Sequence, residues 1–292
     1  MTNRPLETPT PQIRNMPLRP RAWNALLETP GATVIDAEGG TLALIPERGE
    51  LHLYWAFSST EHMRQLFGEM FEELRPEFSS DATDYVVLDL VEVHGKEWLD
   101  PILHDAAFDF FAEWLTMTHP SLDPNAIPTF PDGVKMRLAK AADSDRVHEL
   151  WTEAYGELSD GPRAIDTALA SASWIGVMEE GGEIVAFAAN GEIVESEGRI
   201  LTAAVAPEAR HRGYGKLALA AAAYQLTTQG ARAATVIGRP DVPFALRTAS
   251  SLGFRPGRGG LEYRRPTDED AIREQREAAR VRGVKARFGG WR

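Results

Sequence analysis

The sequence has 292 residues, of which 43% are hydrophobic and 25% are charged. This length favours two domains, and the composition is that of a soluble globular protein whose core needs no metal or disulfide. A formal net charge of −12 argues against a nucleic-acid partner and suits cationic ligands such as amines. The absence of cysteine excludes a disulfide framework and a thiolate zinc site, and it fits a cytoplasmic location. Neither a signal peptide nor an apolar run of bilayer-spanning length is recognisable, so no membrane partner is expected.

The first half begins with residues 1–20, where recurring prolines predict a flexible arm. A domain over residues 21–120 follows. Its patterns predict a helix over 21–27, strands over 33–35, 41–45 and 51–57, a helix capped within residues 58–60, a strand over 85–91, a short helix over 101–106 and a strand over 110–118.

Prolines spaced through residues 121–133 predict a linker, and a second domain is expected over residues 134–265. Its patterns predict a strand over 134–138, a helix from residue 143 or 144, strands over 174–178, 184–189 and 200–205, a helix over 215–229, a strand over 233–237, a helix over 244–251 and a strand over 261–264. Residues 266–292 are predicted to form a separate helical tail, with Thr267 and Asp270 as a capping box.

The two halves have the same predicted order of elements: three strands, a helix, a strand, a short helix and a strand. Glu38-Gly39-Gly40 and Glu180-Gly181-Gly182 occupy equivalent hairpin positions. This agreement indicates an internal duplication.

The segment Arg210-His211-Arg212-Gly213-Tyr214-Gly215 lies between a predicted strand and a predicted helix. The first amides of a helix have no partner within it, and the helix dipole makes this end attractive to anions. Glycine allows close backbone approach, and arginine matches phosphate geometry. The segment lacks the residues of a P-loop and the third glycine of a dinucleotide fingerprint. These residues alone leave phosphate binding and a purely structural turn as alternatives.

The wider sequence resembles the GCN5-related N-acetyltransferase superfamily. Three motifs carry the resemblance: Arg210-x-x-Gly213-x-Gly215, the preceding Val205-Ala206-Pro207-Glu208, and the later Leu252-Gly253-Phe254. It covers roughly residues 134–265. It implies an α/β fold with a mixed sheet of the α+β kind, arranged as two tandem domains, of which the C-terminal one holds the acyl-CoA site.

The resemblance implies that acetyl-CoA is the co-substrate, and the sequence gives no reason to expect a metal. Its pyrophosphate would be bound by seven consecutive backbone amides, those of Arg210, His211, Arg212, Gly213, Tyr214, Gly215 and Lys216. The edge of a splayed strand at Ala203, Ala204 and Val205 would pair with the pantetheine arm, and an amide there would polarise the acetyl carbonyl. A primary amine of a small molecule would then attack directly.

Three positions depart from the family pattern. Ala249 stands where many members have the tyrosine that protonates the leaving thiolate, Asp241 stands near a usual asparagine, and Arg199 stands where histone-type members have a glutamate. Glu192 is our first choice as general base, with Glu195 and Glu197 as alternatives in the same hairpin. Solvated hairpin charges are the other interpretation of all three.

In the first half the equivalent strand-to-helix junction, residues 53–60, contains neither glycine nor arginine. This half is therefore interpreted as a degenerate domain that cannot bind CoA and serves as a scaffold or substrate wall. Its histidines, His94, His104 and His119, match no zinc spacing. A homodimer is one assembly that this layout allows, and a non-catalytic acyl-CoA-binding module or a protein N-acetyltransferase are the alternative functions.

Overall fold

The structure is a computed structural model that describes residues 13–47, 50–78, 84–91, 96–155, 162–240, 242–274 and 276–277. The chain divides into two compact units. Unit 1 consists of Met1–Glu113 and Gly260–Arg292, and unit 2 consists of Trp114–Gly259. This division differs from the domains expected over residues 21–120 and 134–265, because the proline-rich segment belongs to unit 2 and the end of the second half belongs to unit 1.

The helices and strands of the described residues are numbered in chain order. The helices are α1 (Pro20–Leu27), α2 (Thr60–Leu74), α3 (Asp100–Asp105), α4 (Ser144–Tyr155), α5 (Pro162–Ala170), α6 (Tyr214–Thr228) and α7 (Pro243–Ser250). The strands are β1 (Ile13–Arg14), β2 (Thr33–Ala37), β3 (Gly40–Glu47), β4 (Glu50–Phe57), β5 (Tyr85–Val91), β6 (Asp109–His119), β7 (Val134–Leu138), β8 (Trp174–Glu180), β9 (Glu183–Val194), β10 (Glu197–Val205), β11 (Ala233–Gly238) and β12 (Arg255–Pro266).

Unit 1 is built on a mixed sheet with the strand order β2–β3–β4–β5–β12. Neighbouring strands are antiparallel except β4 and β5, which are parallel. Helix α2 connects those two parallel strands and packs against the sheet, as a parallel connection requires. One face of α2 is buried, since its apolar side chains recur three or four residues apart: Met63, Phe67, Met70, Phe71 and Leu74.

Residues 13–20 are not the flexible arm that the prolines suggested. Strand β1 pairs with β4, and the side chain of Asn15 is fully buried. Its amide donates to the carbonyl oxygens of Leu53 and Asp89 at 3.0 and 3.1 Å, and its oxygen accepts from the Trp55 amide at 2.8 Å. These bonds satisfy a buried polar group and fix the segment to two strands. The remainder of the predicted arm, residues 1–12, lies outside the described residues.

Unit 2 is built on a mixed sheet with the strand order β6–β11–β10–β9–β8–β7. Neighbouring strands are antiparallel except β10 and β11, which are parallel and are connected by α6. Helices α4 and α6 supply apolar residues to the core, including Leu150, Ala218, Ala222 and Leu226. The abundance of alanine on α6 lets its backbone lie close to the sheet.

The predicted repeat of elements is confirmed in both halves of the sequence. The series β2–β3–β4–α2–β5–α3–β6 corresponds to β8–β9–β10–α6–β11–α7–β12. The last strand of each series, however, is divided between the two units, and its later part belongs to the other unit. Residues Leu115–His119 of β6 pair with β11 in unit 2, and Gly260–Pro266 of β12 pair with β5 in unit 1.

Other elements agree less fully with the sequence-based expectations. Helix α5 was not predicted, and the predicted tail helix is present over residues 269–274, where Ile272 is buried. The Asp268 carboxylate accepts from the Asp270 amide at 3.1 Å at the start of this helix. Residues 278–292 of the tail lie outside the described residues. Among the helices of the described ranges, none combines the length and the hydropathy needed to cross a membrane.

Candidate functional site

Strand β10 has an unpaired edge at its C-terminal end. Its parallel pairing with β11 runs only from Glu197 to Ile200 among the described residues, whereas β11 continues along β6 to Gly238. On its other side, β10 remains paired with β9 as far as Val205. The two parallel strands therefore separate beyond Ile200, as predicted for the splayed strand.

The direction of the backbone groups on this edge follows from the pairing with β9. The Ala206 amide donates to the Val185 carbonyl at 2.9 Å, so residue 206 is in a hydrogen-bonded pair with β9. Because such pairs alternate along antiparallel strands, residue 204 also faces β9. Ala203 and Val205 therefore direct their N–H and C=O groups to the edge that β11 leaves open. Ala204 is buried and contributes its side chain to the core.

The segment between β10 and α6 turns sharply through left-handed backbone conformations. His211 has a φ of 63°, and Gly213, the N-cap residue of α6, has a φ of 86°. No side chain caps this helix. The Leu217 amide is bonded to the Gly213 carbonyl at 3.1 Å, which leaves the preceding amides of Tyr214, Gly215 and Lys216 without partners inside the helix. The predicted helix start with free amides is thus formed, and anion binding there stays a prediction.

The side chain of Arg212 is held by Glu180 at the end of β8. Its Nη1 donates to Glu180 Oε2 at 2.7 Å, its Nη2 bonds the other carboxylate oxygen, and its guanidinium lies 4.8 Å from the centre of the Tyr214 ring. The Tyr214 hydroxyl also donates to Glu180, at 2.7 Å. Hydrogen bonds from Arg212 and then Tyr214 lower the pKa of Glu180, so this carboxylate is charged at neutral pH. Arg212 therefore contributes to the shape of the loop.

Arg210 is exposed and is bonded to backbone carbonyl groups of β10 and α4. Its Nε donates to the Val205 carbonyl at 3.3 Å, and its Nη2 donates to the Glu153 carbonyl at 3.0 Å. Glu153 lies near the C-terminus of α4, where carbonyl groups attract cations. Both loop arginines thus have protein partners, and the exposed side chains of His211 and Lys216 are left as the cationic or neutral donors beside the helix end.

Tyr155 is a residue of this site that the sequence patterns did not identify. It is the last residue of α4, and its hydroxyl donates to the Ala203 carbonyl at 2.6 Å. Burial raises the pKa of this hydroxyl. The sequence suggested only a packing role, because no pattern shows that the end of α4 reaches the open edge of β10.

Ala249, which replaces the family's usual tyrosine, is 2% exposed in the core of unit 2. A tyrosine ring at this position would have to displace packed neighbours. The small side chain at position 249 is therefore required by the packing of α7 against the core of unit 2.

The predicted general base lies apart from these groups. Glu192 is exposed on β9 within a bulge opposite Arg199, and in the described ranges its side chain makes neither a hydrogen bond nor an ion pair. Four residues of strand separate Arg199 from Ala203, or roughly 13 Å. Glu195 and Glu197 are also exposed, and Glu195 has a φ of 51° in the hairpin turn. The role of Glu192 stays a prediction.

The equivalent junction in unit 1 differs at the helix end. The Ser59 hydroxyl oxygen accepts from the His62 amide at 3.1 Å and so caps α2. This bond confirms the predicted capping segment. It also occupies the His62 amide, which would otherwise be free to bind a ligand. Across the described ranges of both units, no cluster of three or more His, Cys, Asp or Glu side chains is arranged to hold a metal ion.

Comparison with known proteins supports this description. Residues 144–254 match the family model described as the acetyltransferase (GNAT) family. No curated protein matches the sequence. A GCN5-related N-acetyltransferase from Kribbella flavida is similar in structure, with a TM-score of 0.56, 20% identity, and coverage of 84% of this chain and 93% of that one.

Two further structures are similar at lower identity. A GCN5-related N-acetyltransferase from Sphaerobacter thermophilus has a TM-score of 0.54 and 17% identity, with 84% of this chain and 85% of that one covered. A tandem GNAT protein from the clavulanic acid biosynthesis pathway has a TM-score of 0.52 and 13% identity, with 82% and 85% covered. At these identities the similarity concerns the fold.

Proposed function

Because residues 144–254 form an acyltransferase domain of the acetyltransferase (GNAT) family, we propose that the protein transfers an acetyl group from acetyl-CoA to the primary amine of a small molecule. The observation that carries this proposal is that unit 2 contains both an uncapped N-terminus, that of α6, and an open strand edge, that of β10. The helix start is suited to an anion, and the strand edge presents the N–H groups of Ala203 and Val205 to an extended ligand.

In this proposal the CoA pyrophosphate binds to the backbone amides between Arg210 and Lys216. The partial positive charge at the start of α6 favours phosphate there, and Gly213 presents no Cβ to it. The pantetheine arm lies along Ala203–Val205 as an additional extended chain would. An amide of this edge donates to the acetyl carbonyl and stabilises the negative charge that develops on its oxygen.

The amine nitrogen attacks the acetyl carbon, a C–N bond forms, and the C–S bond breaks to release the CoA thiolate. A primary amine is protonated at neutral pH and must lose that proton before it attacks, and Glu192 is the proposed acceptor of this first proton, acting through water. The acidic surface favours a cationic amine, since the whole chain has a formal net charge of −12.

A non-catalytic acyl-CoA-binding module is the alternative, because Ala249 is buried at the family's usual proton-donor position and the exposed Glu192 side chain has no hydrogen bond or ion pair among the described residues. Such a module would bind acetyl-CoA through the same loop and edge, and would release no thiol in the presence of amines.

A thiol-release assay distinguishes these functions. The full-length protein would be incubated with acetyl-CoA and a panel of a polyamine, an aminoglycoside, free amino acids and a peptide with a free N-terminus. Release with one of the small amines supports the proposal, and release with the peptide alone would instead indicate a protein N-acetyltransferase. Tight acetyl-CoA binding by calorimetry without release across the panel would identify the binding module.

A further inference from the structure

The Tyr155 hydroxyl lies at the open edge of β10, where the proposed function requires the thioester. Its 2.6 Å bond to the Ala203 carbonyl places a proton-bearing oxygen directly on the backbone that would face the pantetheine arm. The ring is fixed by Trp151, whose centroid is 5.8 Å away. The hydroxyl is therefore held at the edge by both a hydrogen bond and ring packing.

Acyl transfer from a thioester ends with a basic sulfur that needs a proton. In unit 2 the other candidate donors are poorly placed for it. The Tyr214 hydroxyl is bonded to Glu180 beside the proposed phosphate site, and His211 lies in the loop that would bind the pyrophosphate. Ala249 has no proton to give. Tyr155 remains as a titratable group that contacts the edge itself.

We propose that Tyr155 is the catalytic proton donor of the reaction, an inference that rests on the proposed function. As the amine nitrogen bonds to the acetyl carbon, the C–S bond breaks and its electron pair goes to sulfur. The Tyr155 O–H turns from the Ala203 carbonyl to the sulfur and transfers its proton, which yields free CoA thiol. The resulting phenolate regains a proton, through water, from the ammonium group formed by the attacking amine.

The surroundings of Tyr155 suit this cycle. Burial raises the pKa of its hydroxyl, so that the proton is present at neutral pH. A hydrogen bond with the Thr202 side chain and then the positive charge of Arg210 act in the opposite direction on the same pKa and would stabilise the phenolate that forms briefly. Arg210 is kept nearby by its bonds to the Val205 and Glu153 carbonyl oxygens.

The test uses full-length Tyr155→Phe with the panel amine that the unaltered protein acetylates fastest. We expect kcat to fall about 100-fold, within the range found for general acid catalysis, while the Kd of acetyl-CoA changes less than about twofold. Tyr224→Phe, which alters a half-buried tyrosine on α6, is the matched control and should retain its kcat. An unchanged kcat in Tyr155→Phe, or a loss confined to acetyl-CoA affinity, would overturn the proposal.

A second variant covers the case in which Tyr155→Phe fails to fold or to bind acetyl-CoA. Fluorotyrosine inserted at position 155 keeps the hydroxyl but makes it more acidic. We expect the alkaline limb of the kcat–pH profile to move to lower pH, a response that a packing residue would not give, and an unmoved limb would overturn the proposal. If the unaltered protein acetylates no amine at all, both the proposed function and this inference fail, whereas activity that survives the Tyr155 variants removes only the inference.

Discussion

Gly213 is the residue on which the shape of the proposed CoA loop most depends. Its φ of 86° is a conformation that costs an L-residue about 1–2 kcal/mol, although a Cβ there would meet no neighbour within 4 Å. Gly230, beyond the other end of α6, has a φ of 97° and equally open space. The two glycines therefore carry the same kind of backbone constraint at opposite ends of one helix.

We expect Gly213→Ala to weaken acetyl-CoA binding by about fivefold to tenfold, or roughly 1–1.4 kcal/mol. The alanine is strained at this φ, so the loop distorts and its amides no longer face the ligand. Calorimetric titration with acetyl-CoA measures this change. Gly230→Ala should lower the melting temperature about as much as Gly213→Ala does, and it should leave the affinity for acetyl-CoA unaltered. Equal losses of affinity in the two variants would show that the effect arises from general destabilisation of α6.

Asp143 gives unit 2 a pH-dependent contact. Its carboxylate accepts two bonds from Arg137 at 2.6 and 3.0 Å and one from the Lys140 amide at 2.6 Å. The bonds from Arg137, followed by the amide, lower the pKa of Asp143 to about 2. Since the folded-state pKa lies below the unfolded value of about 3.9, this contact stabilises the protein above pH 4 and is lost as the pH falls towards 2.

Asp143→Asn should therefore melt at a lower temperature than the unaltered protein at pH 7, because the charged contact is missing. The two melting temperatures should approach each other as the pH is lowered from 4 to 3. Thermal unfolding followed by circular dichroism over this range provides the measurement. A difference in melting temperature that stays constant with pH would mean that the carboxylate acts through its shape alone.

Sequence patterns identified the backbone requirements of the site better than its side-chain partners. The glycines of the loop indicated unusual backbone angles, and the structure has them at Gly213. The partners of Arg210 and Arg212 lie 57 and 32 residues earlier in the chain, in α4 and β8. Such long-range pairs leave no local signal, so the arginines were expected to point towards phosphate.

At the scale of elements, α2 and α6 show how one position changes the use of a helix. Both helices connect the parallel strands of their unit, yet Ser59 caps α2 with its side chain whereas Gly213 leaves α6 uncapped. Capping satisfies an amide that would otherwise be free to bind an anion. This difference agrees with the interpretation of the first half as a domain that does not bind CoA.

Ser59→Ala should lower the free energy of unfolding by about 1 kcal/mol, because the His62 amide loses its acceptor. Acetyl-CoA affinity should be unchanged, since α2 has no part in the proposed site. Chemical denaturation and calorimetry measure the two quantities. Ser250→Ala, at an exposed position on α7, is a control for a serine without a capping role, and a similar loss of stability in it would contradict the capping explanation.

Most elements were predictable because their patterns are local. The periodic apolar residues of α2 and the apolar run of β5 specified these elements, and β5 has the predicted bounds of residues 85–91. Helix α5 has 9 residues and was not predicted, although α1 and α7, with 8 residues each, were. Asn15 resembled part of a proline-rich arm because its three bonding partners are distant in sequence.

At the scale of the molecule, the order of elements was predictable but the assignment of strands to units was not. Each half of the sequence ends in a strand that completes the sheet of the other unit. The patterns of β6 and β12 indicate that they are strands, but antiparallel pairing is compatible with many partners in the same chain. The linker composition therefore marked an irregular segment inside unit 2 and not a boundary.

This division of β6 and β12 between the units predicts which fragment of the chain forms a stable unit 2. Residues 114–259 include the part of β6 that pairs with β11, whereas residues 134–265 omit it and retain the part of β12 that pairs with β5 of unit 1. The shorter start removes Met117, which is 1% exposed in the core of unit 2, and leaves the edge of β11 unpaired. Loss of that side chain alone removes about 1.5–3 kcal/mol of stability, a large fraction of the 5–15 kcal/mol typical of a domain.

We expect the 114–259 fragment to be monomeric by size-exclusion chromatography, to unfold cooperatively and to bind acetyl-CoA, and the 134–265 fragment to aggregate or melt at a lower temperature. Met117→Ala in the 114–259 fragment should give a melting temperature between those of the two fragments. A 134–265 fragment at least as stable as the 114–259 fragment would show that unit 2 does not need β6.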